Sequence, residues 1–439
     1  MPHTNHMSQR LSRVVIVAAV LALPATTYAQ TLQQELKSLL SEHPRIRAAE
    51  AVSKREAEGV TSAFSGFLPK VALTSDYGRE EIDNPTRRNA GQGTSELNRN
   101  KATLTIAQNV FDGLKTPEAV KAADLRKKAA EENLEATRQQ MLLEGINAYY
   151  GVLRNTKLIG IAQDNENIIK RQLALEDERV QRGSGIAVDV LLAKARLQLA
   201  VERRVAVEGS LKEAIARYMQ VFNHRPTIPT MVDPNVDLSF LPTEMKSAID
   251  VAVSNNPQLR ETDRRAEAAA YQVGVARADY FPRVDLVGQG NREENVDTVS
   301  GLRRDWSVLL KFTWELFSGF ATNASYNAAI YEKLNQQDIY LDRRRQVVQD
   351  LEIAWEALAT ARERVRLLEN AVSIAEEVFV ARGRLRDSGR ETAINVLDAQ
   401  SELFGAQLNA VTASYDAQVT AFRVLAAMGA LTPDNLKME

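Results

Sequence analysis

The side chains best suited to chemistry are charged, and they cluster at two glycine-containing breaks in the chain. They comprise four carboxylates and three arginines: Asp189, Asp387, Glu391, Asp398, Arg182, Arg386 and Arg390. If several copies of the chain assemble, such carboxylates could form a charged ring around a pore mouth. The alternative is helix capping in a solvated turn, because an acidic side chain stabilises a helix N-terminus.

Several classes of chemistry are excluded by composition. The chain has no cysteine and only four histidines, which removes disulfides, thiolate metal sites and cysteine nucleophiles and leaves little for a histidine site. The P-loop, HExxH and GxSxG motifs are absent. A net charge of −2 gives no basic excess for nucleic acid. We expect no enzyme, cofactor, metal or nucleic-acid partner.

Residues 1–29 have the pattern of a secretory signal peptide. Arg10 and Arg13 precede the apolar run 14–23, and small residues lead up to Ala29. The alternative is a membrane anchor, but a run of about ten residues is short of the roughly 20 that a spanning helix needs. We expect cleavage after Ala29 and an exported mature chain without a lipid anchor or a transmembrane helix.

Most of the remaining chain consists of two tandem repeats. Pro44 matches Pro257 at a spacing of 213, and Gly183 matches Gly389 at a spacing of 206. The seven-residue difference predicts a loop of variable length between Pro69 and Phe111. We therefore divide the chain into a first repeat, a proline-rich linker, a second repeat and a tail, at 30–223, 224–243, 244–430 and 431–439.

Each repeat predicts the order helix, strand, loop, strand, long helix, turn and returning helix. The first helices are expected at 31–65 and 244–279, the long helices at 116–182 and 322–388, and the returning helices at 187–222 and 392–428. The long segments contain no proline after Pro117 in the first repeat and none in the second. At 1.5 Å per residue, each long helix would extend roughly 100 Å. Two long helical hairpins result.

Alternating polarity predicts strands at 70–79, 101–111 and 306–316, with polar loops at 80–100 and 290–304. One face of these strands is apolar: Leu104, Ile106, Trp306, Val308, Leu310, Phe312 and Trp314. Lys311 and Thr313 lie on the opposite face. Alternation over about ten residues suits a membrane β-barrel strand. An ordinary sheet core is the alternative, but the helical flanks offer no second sheet to cover this face, which favours lipid.

The order and duplication of several short motifs resemble those of TolC-like outer membrane factors over about 31–430. The motifs are FLP at 67–69, FDG at 111–113, FSG at 317–319, DVLLAKA at 189–195 and NVLDAQ at 395–400. The resemblance implies a mainly α protomer that contributes four strands to a trimeric, 12-stranded membrane β-barrel continued by a long α-helical barrel. It also implies that the tip docks onto a periplasmic adaptor (membrane fusion protein) and an inner-membrane ABC or RND pump.

The resemblance assigns roles at the tip residue by residue. Two aspartates one helical turn apart ring the closed mouth in the family, and their positions here are Asn395 and Asp398. Asp189 matches an aspartate that accepts a salt bridge from an arginine on the other hairpin. That arginine position is Glu391 here, so Arg390 or Arg386 could substitute, or the gate could be held otherwise.

These observations predict a passive exit channel in the outer membrane that extends into the periplasm. Type I secretion and multidrug efflux both stay open, because one duct can serve several pumps. The alternative is a soluble periplasmic coiled-coil scaffold or adaptor. An adaptor would need a lipoyl-like or β-rich domain flanking one hairpin, whereas this chain has two hairpins and membrane-type strands.

Overall fold

The computed structural model describes residues 30–234 and 241–436. The predicted signal peptide, part of the predicted linker and the end of the predicted tail fall outside these residues. The elements of the first repeat are α1 (Leu32–Glu42), α2 (Pro44–Phe64), β1 (Lys70–Ile82), α3 (Pro85–Asn89), β2 (Ser95–Phe111), α4 (Lys115–Gln181) and α5 (Ala187–Phe222). Those of the second are α6 (Met245–Asn255), α7 (Pro257–Arg277), β3 (Arg283–Val296), β4 (Val299–Thr313), α8 (Ala321–Asp387) and α9 (Ala393–Ala427).

The two long helices have the predicted length. α4 and α8 each contain 67 residues, and each lies one residue before its predicted bounds. Both end before a glycine with a left-handed backbone, Gly183 with φ 76° and Gly389 with φ 74°. Glycine adopts this conformation without a steric penalty and ends the helix there. Among the described residues, no helix is both long and apolar enough to cross a membrane.

The first helical segment of each repeat is broken, which corrects the single helices expected at 31–65 and 244–279. Pro44 and Pro257 occupy the first position of α2 and α7. The residue before each proline caps the new helix: His43 Nδ1 accepts from the Arg45 amide at 3.2 Å, and Asn256 Oδ1 accepts from the Gln258 amide at 2.9 Å. Proline lacks an amide hydrogen and clashes with the preceding turn, so α1 and α6 cannot continue through it.

The four strands form one antiparallel sheet in the order β1-β2-β3-β4. Its register aligns Leu73 with Leu104, Leu104 with Gly290, and Gly290 with Trp306. Side chains at directly paired positions share a face. The predicted apolar residues of β2 and β4 therefore lie on one face, and the row from β1 joins them. Trp314 lies just beyond β4, where its indole donates to the carbonyl of Tyr280 at 3.2 Å.

The predicted loop at 290–304 is wrong. β3 and β4 pair as far as Val296 and Val299, leaving a turn at Asp297 and Thr298. Polar residues occur on both faces of this outer part of the hairpin, so polarity alone did not mark where the strands end. The predicted loop at 80–100 is also too long, because β1 extends to Ile82 and β2 begins at Ser95.

The helical core lies where α1, α4, α5 and α9 meet. Its fully buried side chains include Leu36, Ile146, Tyr149, Tyr218 and Phe422. The Tyr149 hydroxyl lies 2.7 Å from the carbonyl oxygen of Gln30 and accepts from the amide of Val232 at 3.2 Å. These two contacts tie the N-terminal segment and the linker to α4 through the fully buried Tyr149.

Candidate functional site at the hairpin tips

The two hairpin tips are built by the same turn. In the first, the amides of Gly183 and Ser184 donate to the carbonyls of Val180 and Arg179 at 3.0 Å. In the second, the amides of Gly389 and Arg390 donate to the carbonyls of Arg386 and Leu385 at 3.0 and 2.9 Å. Each turn satisfies the last carbonyls of a long helix. The tips therefore present equivalent backbones with different side chains.

Arg386 of α8 makes the most buried ion pair at the tips, and its partner is Glu176 of α4. The Arg386 Nη2 atom lies 2.6 and 2.7 Å from the two carboxylate oxygens. The Glu176 side chain is only 3% exposed and that of Arg386 is 19% exposed. Burial weakens solvent screening, so loss of either partner would leave an unpaired charge in a poorly solvated contact between the two hairpins.

Arg386 also stabilises the turn of its own hairpin. Its Nη1 atom donates to the carbonyl of Glu391 at 3.2 Å. Arg382, one turn earlier on α8, donates to the carbonyl of Asn395 at 3.1 Å. Two arginines of α8 thus bind backbone oxygens at the start of the returning chain, while Arg386 reaches across to the other hairpin.

Asp398 is paired within the protomer. Its Oδ1 atom accepts from Arg196 of α5 at 2.6 Å, and both side chains are partly exposed. Deeper along the same interface, Gln400 donates to the Asn165 side chain at 3.1 Å. Ile169, Ala193, Ala200 and Leu397 form a buried apolar cluster between the hairpins. The tips are therefore joined by one apolar cluster and three polar links.

Asn395 and Glu391 belong to the cap of α9. The Thr392 side chain accepts from the Asn395 amide at 3.4 Å, and the Glu391 carboxylate accepts from the Thr392 amide at 3.0 Å. The Asn395 side chain also donates to that carboxylate. The hydrogen bond from Asn395, followed by that from Thr392, lowers the pKa of Glu391 below its ordinary value. Capping thus accounts for these two residues in the protomer.

Asp189 and Arg390 are not brought together in the protomer. Asp189 lies in the first turn of α5, where an acidic side chain complements the helix dipole. Within the described part of the chain, neither side chain forms a hydrogen bond or an ion pair. Glu176 and Arg196 were not among the predicted site residues. Arg386, the other arginine expected to bind Asp189, binds Glu176 instead. A bond from Asp189 to an arginine of the other hairpin stays a prediction.

The apolar face of the sheet is uncovered in the protomer. Trp306 is 82% exposed and Leu310 is 68% exposed. The opposite face carries a row of charges in which Asp76, Lys101, Glu293 and Arg303 are register neighbours. A sheet with one apolar and one charged face fits a boundary between lipid and a polar lumen.

Comparison with protein families identifies one family over most of the chain. The model of the outer membrane efflux protein family matches residues 36–224 and 248–430. The chain belongs to this family. The resemblance to TolC-like outer membrane factors is therefore confirmed, and the gap in the match coincides with the linker between the repeats.

Relatives and solved structures of this family extend over nearly the whole chain. The outer membrane efflux protein BepC of Brucella suis is 25% identical over 97% of this chain and 92% of its own. The outer membrane protein TolC of Escherichia coli is 22% identical over 98% of this chain and 88% of its own. The CmeC outer membrane channel of Campylobacter jejuni superimposes with a TM-score of 0.79 at 16% identity, covering 98% of this chain and 94% of its own.

The fold and the family place the protein in the outer membrane, with its helices extending into the periplasm. The predicted fold class, a mainly α protomer with a membrane β-barrel, is confirmed. Both hairpin tips lie at the far end of the long helices from the sheet, which puts the tip residues at the periplasmic end of the molecule.

Proposed function

We propose that this chain is the exit channel of a type I secretion or efflux system, a passive conduit across the outer membrane and periplasm. Proteins of this family serve as such channels. The observation that carries the proposal is the combination, in one protomer, of an uncovered apolar sheet face and two 67-residue helices. The sheet suits lipid, and helices of roughly 100 Å suit the periplasmic gap.

The functional unit we infer is a homotrimer. The protomer's sheet has two free edges, β1 and β4, and an open edge is not tolerated in lipid because its amides and carbonyls have no partners. Bacterial membrane barrels have at least about eight strands, so four strands cannot close alone. Three copies would supply twelve strands, with β4 of each protomer pairing with β1 of the next.

The periplasmic tips would bind the partners that supply energy, an adaptor and an inner-membrane ABC or RND pump. The sequence has no nucleotide-binding motif, so the work must come from elsewhere. The first hairpin tip exposes apolar side chains on its turn and on the first turns of α5, among them Ile186, Val188 and Leu191. Apolar side chains grouped on an otherwise charged surface are typical of a docking site.

The gate we propose lies between the two hairpins. Asp398 would place one carboxylate per subunit near the mouth, where its charge favours cations. Arg196 partly neutralises that carboxylate, and the Glu176–Arg386 pair holds the hairpins closed. Asp189, Asn395, Glu391 and Arg390 would contribute at contacts between subunits.

The alternative of a soluble periplasmic scaffold or adaptor does not account for the sheet. Removing the apolar face from water needs a cover, and the described chain supplies none. The family match also supports the channel and not the scaffold.

The proposal is tested by extraction and conductance. The mature chain should leave the outer membrane only with detergent, and the purified oligomer should give discrete single-channel currents in planar bilayers. A protein that is released by aqueous buffer as a stable monomer, and that conducts no current, would overturn it.

A further inference from the structure

The outward face of the sheet carries two unpaired arginines immediately beyond its apolar band. Arg292 of β3 and Arg304 of β4 are direct register partners, and the rest of their row is Ala102 and Ser75. The previous row is Leu73, Leu104, Gly290 and Trp306. Both arginines therefore lie on the apolar side of the sheet, one row past Trp306.

The position of Arg292 and Arg304 along the membrane normal follows from the direction of the strands. The helices begin after β2 and β4 end, so the β3–β4 turn is at the end of the sheet remote from the periplasm. Two residues along a strand advance roughly 6–7 Å. Since tryptophan marks the edge of the apolar band in membrane barrels, Arg292 and Arg304 lie at the level of the lipid headgroups of the outer leaflet.

Within the described part of one protomer, the two charges have no protein counterion. Directly opposed side chains have Cβ atoms about 4.5–5.5 Å apart, where like charges destabilise the pair. Within residues 30–234 and 241–436, neither guanidinium takes part in an ion pair, and both residues are exposed. The nearest carboxylate on this face, Glu294, lies one row further from the apolar band.

The lumen face at the same level is arranged differently. Lys101 and Arg303 both reach Glu293, at 2.8 and 3.9 Å, and Arg99 binds Asp76 at 2.8 Å. Every cation named there has a carboxylate partner. At this level, the pair of cations without carboxylate partners, Arg292 and Arg304, is therefore on the face that we assign to lipid.

We infer that Arg292 and Arg304 form a binding site for the phosphate group of an outer-leaflet lipid. Guanidinium groups bind phosphate oxygens in a bidentate manner, and a phosphate between the two would remove their repulsion. Glycine at position 290 leaves open surface below Arg292, and no side chain lies within 4 Å of where its Cβ would be. An acyl chain can therefore pass beside Trp306 while the phosphate rests on the arginines. The inference rests on the proposed membrane position of the sheet.

The test compares lipids that differ only in phosphate. Purified oligomer in detergent is mixed with bis-phosphorylated lipid A or with the same lipid after removal of its phosphates, and bound lipid is counted by native mass spectrometry. We expect the phosphorylated lipid to bind roughly tenfold more tightly, a preference that Arg292→Gln/Arg304→Gln abolishes. The control is Arg303→Gln, which removes a charge from the same strand on the lumen face and should keep the preference.

Two outcomes would contradict the inference. Equal binding of both lipids by the unaltered protein would show that the arginines are simply solvated. Inorganic phosphate that binds the two arginines as tightly as the phosphorylated lipid does would identify a free-phosphate site instead. Folding is checked by single-channel current, which the double variant should retain. A protein without channel activity that still prefers the phosphorylated lipid would count against the proposed function and not against this site.

Discussion

The carboxylate of Glu176 and the guanidinium of Arg386 connect the two helical hairpins across 210 positions of sequence. The contact is nearly sealed from solvent on the glutamate side. An opening motion that separates the hairpins has to break this pair. It therefore has the properties of a latch on the periplasmic end.

Removing the latch should favour the open channel. Glu176→Gln leaves a partly buried arginine without its counterion, and losing one member of a buried pair costs about 3–5 kcal/mol. We expect a higher open probability in single-channel recordings. Arg182→Ala is the matched control, because its pair with Glu178 is exposed and joins two residues four positions apart at the end of α4, where about 0.3–0.5 kcal/mol is typical. Equal gating in the two variants would contradict a latch at Glu176.

Charge selectivity at the mouth should change in opposite directions when the members of the second pair are removed. Asp398→Ala deletes a carboxylate and should reduce cation preference, whereas Arg196→Ala frees that carboxylate and should increase it. The measurement is the reversal potential under a salt gradient, at low ionic strength so that screening is weak. If neither variant shifts the reversal potential, Asp398 is not at the mouth.

Two adjacent leucines of β4 test the assignment of the sheet faces. Leu310 is on the apolar face with Trp306, and Leu309 is on the opposite face beside Val287. Leu310→Arg should cost about 2–4 kcal/mol if it lies near mid-membrane, whereas Leu309→Arg should be better tolerated because it faces the lumen. Free energies of unfolding from lipid vesicles in denaturant measure the difference. A larger loss for Leu309→Arg would show that the faces have been exchanged.

The equivalent glycines at the starts of the two long helices should differ in their tolerance of alanine. Both have left-handed backbones, at φ 71° for Gly113 and φ 62° for Gly319, so alanine costs about 1–3 kcal/mol at either. A Cβ at position 113 would also lie 2.5 Å from the carbonyl oxygen of Ala278, whereas none lies within 4 Å at 319. We expect Gly113→Ala to lower oligomer stability by about a further 1–3 kcal/mol. Equal melting temperatures of the two variants would contradict the close approach.

The sequence predicted those helices and strand faces that nearby residues determine. The absence of proline and the glycines at 183 and 389 set the long helices to within one residue, and alternation identified the apolar face of β2 and β4. The ends of β3 and β4 near their turn were not predicted, because polar residues occupy both faces of the strands there. Arg292 and Arg304, for example, lie on the face that is apolar further along the strands. In this part of the hairpin, polar side chains indicate contact with water and do not indicate that the strand has ended.

The tip contacts could not be predicted for a different reason. Asp189, Arg386 and Asp398 were identified as tip residues from their position beside the turns. Which carboxylate meets which arginine depends on the rotation and offset of one hairpin against the other. No short-range pattern encodes that offset, so Glu176 and Arg196 emerged only from the packed structure.

Disulfide trapping between β1 and β4 tests whether three protomers close one barrel. The chain has no cysteine, so a pair placed at Thr74 and at Asp305, Ser307 or Leu309 in turn is the only one present. Within one protomer β1 and β4 are three strand spacings apart, roughly 14 Å, and a disulfide needs Cα atoms closer than about 7 Å. We expect that oxidation in the outer membrane gives, for at least one pair, covalent species up to three chains and no larger. Monomers for every pair, or a ladder continuing beyond three chains, would contradict a closed trimeric barrel.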